Sequence, residues 1–196
     1  MKNYLIIFFL FVITSTSIYS QTNEKARGFF LAFGVGPRIP VGNFSGLSNL
    51  GYGFDADVSY TDNEIIPFFV FARIGFEQYP GSQSLYESSD YTNYSVRAVP
   101  LKFGIRNYFP PFLEGLPLLL PVAEFSISYC FFQKLNQFKL NSGKSNFTDD
   151  SSKLGFNAGV GVSMFLLEII ATYNYYQTNQ SIGVDLKVRL PLLISY

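Results

Sequence analysis

Eight stretches of this 196-residue chain alternate between large apolar residues and small or polar ones, a period of two that suits strands and not helices. In "GYGFDADVSY", residues 51–60, Tyr52, Phe54, Ala56, Val58 and Tyr60 share one face, while Gly51, Gly53, Asp55, Asp57 and Ser59 share the other. The pattern returns in "GFFLAFGVG", "FFVFARIGFE", "VPLKFGIRNYF", "PVAEFSISYCF", "LGFNAGVGVSM", "LEIIATYNY" and "IGVDLKVRL". Eight strands of about 9 to 13 residues are predicted, with no amphipathic helix among them. An even number of antiparallel strands points to an all-β, up-and-down barrel, because closure removes unpaired edges.

Such a barrel can face either way. A soluble lipocalin-like carrier turns the oily face inward around a ligand, whereas a transmembrane barrel turns it outward to lipid. The non-oily face carries Gly51, Gly53, Gly75, Gly104, Gly155, Gly159, Gly161 and Gly183. Glycine weakens a solvated strand but relieves crowding in a narrow lumen, so this face belongs inside.

The charges on that face are mixed in sign. Asp55, Asp57, Glu77, Glu124, Glu168 and Asp185 are expected to meet Arg73, Lys102, Arg106, Lys187 and Arg189 in an ionic lumen network. Asp55 and Asp57, on one face about 7 Å apart at a rise of about 3.4 Å per residue, could alternatively hold a divalent cation. That would need further oxygen ligands and would compete with the lumen Arg and Lys.

Connections alternate in length. "RIPVGNFSGLSNL", "QYPGSQSLYESSDYTN" and "QKLNQFKLNSGKSNFTDDSS" are long and polar; "TDNE" and the turn at Phe165 and Leu166 are short, and "PPFLEGLP" is intermediate. Long loops on one side and short turns on the other are the asymmetry of a membrane barrel, although "QTNQS" is short for its side. Tyr60, Tyr79, Tyr94, Tyr108, Phe109, Tyr129, Tyr175 and Tyr176 fall near strand ends, where aromatic girdles are expected.

The ends and the composition narrow the class. "MKNYLIIFFLFVITSTSIYSQ" has Lys2, an apolar run from Leu5 to Ile13, then small polar residues. That run is too short to span a membrane and suits a signal peptide, residues 1–20, ahead of a barrel domain at 21–196. Charged residues make up only 14% of the chain and Lys+Arg balances Asp+Glu at 14 each, so no nucleic-acid partner is implied. Cys130 is the only cysteine, which excludes an intramolecular disulfide, and its place on the polar face suits a small buried filler. The absence of His removes the usual hydrolytic triads and the commonest zinc ligand, and no cofactor motif is present. No enzyme is expected.

On "GVGPRIPVGNF", "VPLKFGIRNYF", "GFNAGVGVSMFLLEIIATYNYYQT" and the closing "IGVDLKVRLPLLISY", the chain resembles the small eight-strand outer-membrane barrels, the OmpA-like "outer membrane protein beta-barrel domain" family. The resemblance implies an outer-membrane location, lipid as partner, and recognition by the barrel-assembly machinery through a C-terminal aromatic. Tyr196 matches that signal, and by parity it shares the face of Leu190 and Leu192. No peptidoglycan-binding domain follows, so a tethering role is not carried over.

These readings converge on an integral barrel with a side-chain-filled lumen. Its role would be envelope integrity or recognition of a surface ligand or protein partner through the outer loops. A narrow channel or a secretion-apparatus accessory of the PorT-like kind stands beside it, and the soluble carrier is the third reading.

Overall fold

The computed structural model describes residues 27–62, 66–111 and 119–195. The expected signal segment, residues 1–20, and Tyr196 lie outside them, as do parts of the "TDNE" and "PPFLEGLP" connections. Eight antiparallel strands follow one another around a closed barrel: β1 (Arg27–Val41), β2 (Gly51–Thr61), β3 (Phe69–Pro80), β4 (Tyr91–Tyr108), β5 (Leu119–Phe138), β6 (Phe147–Met164), β7 (Leu167–Tyr176) and β8 (Asn179–Ser195). The ring closes where β1 pairs with β8, from Arg27↔Ser195 to Val41↔Gln180.

The alternation decides the faces as read from the sequence. Phe33, Phe54, Ile74, Phe103, Ile127, Val160, Ile169 and Leu186 point outward and are exposed, while the glycines and the charges point inward. This settles the orientation against the soluble carrier, whose ligand would need an apolar lining.

Five strands are longer than expected, from 15 residues in β1 to 20 in β5, while β2, β3 and β7 keep to the expected length. Arg38–Val41, Gln133–Phe138 and Phe147–Ser152, expected as loop, are strand. The reason is physical: a strand that leaves lipid has polar surroundings on both faces and loses the alternation that marked it. Their extension lifts β4, β5 and β6 into a three-stranded ledge above the rest of the barrel. The connection between β3 and β4 folds into a short helix, α1 (Gln83–Ser88), whose N-cap Ser82 accepts from the Leu85 N–H.

The barrel's other end carries the turn at Phe165 and Leu166, with Phe165 at φ 57°. A β-bulge opposite Phe29 and Phe30 places Leu192 as the extra residue of β8, since Phe29 pairs with Leu193 and Phe30 with Pro191.

Candidate functional site

The lumen is built by inward residues from all eight strands. All eleven charges predicted for it are buried there. Arg73 on β3 reaches over β4 to Glu124 on β5 with two bonds, Nη1 to Oε1 at 2.9 Å and Nη2 to Oε2 at 2.8 Å. Arg106 on β4 donates to the same Glu124 Oε2 at 2.8 Å and lies 3.4 Å from Asp57 Oδ2. Both guanidinium groups sit over the Phe71 ring, at 4.8 and 5.1 Å.

Asp55 and Asp57 are both held by lumen cations. Lys187 donates to both, 3.2 Å from Asp57 Oδ2, and Arg73 stands 3.6 Å from Asp55 and 3.3 Å from Asp57. Toward the turn end, Arg189 donates to both oxygens of Glu168 at 2.8 and 3.2 Å and to Ser59 Oγ at 2.6 Å. The Tyr108 hydroxyl donates to the same Glu168 at 2.5 Å. Lys102 is the exception: its Nζ donates to the Asn174 amide oxygen at 2.8 Å, and among the described residues no carboxylate lies within ion-pair distance of it.

The reading of the sequence missed one member. Arg38 is buried near the loop end and donates to Glu77 at 2.9 Å and Asp185 at 2.7 Å, with Asp55 3.8 Å away. In the sequence it opens the polar connection "RIPVGNFSGLSNL", yet it shares parity with Gly34 and Gly36, and that is the available signal. With Arg38, six buried cations face six buried carboxylates, so the network is neutral.

Glycine makes room for these long side chains. A Cβ on Gly53 would lie 2.8 Å from Arg38 Nε, and one on Gly183 would lie 2.9 Å from its NH1.

Above the ions the bore ends in an apolar cap of Phe44, Tyr79, Tyr94, Val96, Ala98, Cys130, Phe132 and Tyr176, against which Leu85, Tyr86 and Tyr91 pack. Tyr79, Tyr94 and Tyr176 were expected in an external girdle and are instead interior, and Tyr108 turns inward to Glu168. The outward tyrosines toward the loop end are tied to polar neighbours one step beyond the oily band. Tyr52 donates to Gln78 Oε1 at 3.1 Å, Tyr129 to Ser152 Oγ at 2.8 Å and Tyr173 to Gln180 Oε1 at 2.8 Å. An apolar body with its hydroxyl toward water is how tyrosine sits at a membrane interface.

Chemically, the lumen is a lock. Its carboxylates are occupied by guanidinium, ammonium and hydroxyl donors. Buried charge tolerates this only when every partner is present, and here the partners come from strands far apart in sequence.

No protein-family model matches the chain, and neither does any curated protein. Among solved structures, the Neisserial surface protein A superposes with a TM-score of 0.51 at 15% identity, over 86% of this chain and all of that one. Ail, the attachment invasion locus protein of Yersinia pestis, solved with the heparin analogue sucrose octasulfate, superposes at 0.50 with 11% identity, over 85% and 99%. In fold the chain is thus a small OmpA-like eight-strand barrel of the outer-membrane type. At these identities the likeness concerns architecture alone.

Proposed function

We propose that the chain is an integral outer-membrane protein with a closed lumen, and that it serves surface recognition through the β4–β5–β6 ledge. The observation that carries this reading is an asymmetry between the ledge's two edges. On β4, the stretch above the end of β3 is covered: the Gly81 N–H donates to the Tyr94 carbonyl at 2.7 Å, and the Tyr86 hydroxyl both donates to that carbonyl at 3.0 Å and accepts from the Tyr94 N–H at 3.1 Å. On β6, pairing with β5 begins at Phe147, but pairing with β7 begins only at Phe156. Residues 147–155 thus have a ladder on one side only. Their alternate N–H and C=O groups face outward, a template for an added strand.

Asp149 and Asp150 on this edge favour a basic, extended partner, and the exposed Phe147 and Leu154 supply apolar contacts. The signal segment at 1–20 and the terminal Tyr196, as an assembly signal, agree with export and insertion. The neutral lumen and its apolar cap support a filled bore over a conducting one.

Two experiments test the reading. Outer-membrane fractionation with a mobility difference between boiled and unboiled samples is expected; recovery in the soluble periplasm sinks it. Extended peptides selected against the vesicle-reconstituted protein should be basic and should lose binding to the Ser151→Pro and Ser152→Pro variants. Selection of binders indifferent to both variants removes the ledge from the proposal.

A further inference from the structure

On the outer wall, just above the oily band, β4 carries an exposed cation, Arg97, that meets no hydrogen-bond or ion-pair partner among the described residues. It forms the upper lip of a shallow groove of about 610 Å³ whose lining includes Phe76, Val99 and Phe131. The groove has a direction. On β4, Arg97 lies two residues, about 7 Å, nearer the loop end than Val99. On β5, Gln133 lies beyond Phe131 in the same sense, and on β6 Ser152 lies beyond Leu154. On all three strands the wall is apolar toward the middle of the barrel and polar toward the loops.

We infer that this groove binds a phosphate-bearing lipid of the outer leaflet, its acyl chain over Phe76, Val99 and Phe131 and its phosphate on the Arg97 guanidinium. The polarity matches an amphiphile standing with its headgroup toward the loops. A guanidinium fork suits two phosphate oxygens, and in a lipid interface it is less hydrated than in bulk water. Gln133, which pairs with Arg97 across the strands, offers an amide donor at the same height. Asp150, one strand further, lies about 10 Å from the Arg97 backbone, given a strand spacing of about 4.8 Å. It limits the anion to the Arg97 side of the groove.

The inference rests on the outer-membrane reading, and one experiment separates the two. The full-length mature protein, folded in detergent micelles and checked for heat-modifiable mobility, is titrated with phosphatidylglycerol or with diacylglycerol, which lacks the phosphate, and bound lipid is counted by native mass spectrometry. Phosphatidylglycerol is expected to be retained about tenfold more than diacylglycerol, and Arg97→Gln should abolish the difference. Lys144→Gln, in the exposed loop, should leave it unchanged. Excess inorganic phosphate should not compete, since it lacks the acyl chain; displacement by phosphate alone overturns a lipid site in favour of a simple anion site. Equal retention by Arg97→Gln overturns the inference while the heat-modifiable barrel stands. Failure to form that barrel overturns the membrane reading itself.

Discussion

Arg73 and Glu124 meet inside the lumen over β4, 51 residues apart in sequence, joined by two bonds of 2.9 and 2.8 Å. Glu124 also takes Arg106, so one carboxylate holds two guanidinium groups in a space closed to water. Glu124→Gln leaves both cations short of an anion. It is expected to destabilise the barrel by about 3–5 kcal/mol, the usual consequence of breaking a buried pair on one side. The temperature at which the folded band disappears on unboiled gels should fall clearly, whereas Glu87→Gln, on α1, should not move it. Equal melting of the two variants would refute a structural role for the network.

The space around Arg38 predicts a glycine effect. Gly183→Ala brings a methyl to 2.9 Å from the guanidinium, which is held by Glu77 and Asp185 and has no free direction to move. Overpacking of this kind costs about 1–3 kcal/mol. At Gly46, where the nearest atom is 3.8 Å away, the same change should be close to neutral. Urea midpoints followed by circular dichroism compare the two, since the chain has no Trp to report by fluorescence.

The oily band makes a depth-dependent prediction. Ile127, 64% exposed on the middle of β5, faces the bilayer centre. Ile127→Arg should cost about 2–4 kcal/mol of folding in phosphatidylcholine vesicles, and Phe147→Arg, on the ledge above the band, about 0–1 kcal/mol. Equal costs would place the band elsewhere.

In the outer loops, Lys144 donates to Asp90 at 2.9 Å, and that bond holds the Asp90 carboxyl below its ordinary range. A lowered carboxylate pKa contributes order that is present above the unfolded value, about 3.9, and is lost as pH falls through the folded one. Hydrogen exchange at residues 139–146, corrected for intrinsic rates, should therefore lose protection below about pH 4. Asp90→Asn should show the unprotected rates at every pH. Both side chains are exposed, so barrel melting should not follow this titration.

The eight strands, the oily and the lumen face of each, and eleven of the twelve lumen charges are readable from alternation. Inside a bilayer, each side chain has one of two environments, and composition betrays which. The same logic fails where both faces are wet. Gln133–Phe138 and Phe147–Ser152 look like loop because nothing apolar recurs there, and only their ladder makes them strand. It also fails for tyrosine, which is at home on either side: Tyr129 and Tyr176 are alike in sequence, but one turns its ring to lipid and the other caps the lumen.

Local pattern thus determined that a barrel forms, that its oily face points outward and that its interior is ionic. Closure decided the rest. Arg38 reaches Asp185 across 147 residues only because β1 and β8 meet, and Arg73 selects Glu124 because β3 and β5 flank β4 and curve toward each other inside the ring. Ionic partners are chosen by register and by distance through the lumen. Those quantities exist only once the sheet has curled shut, so no stretch of chain carries them alone.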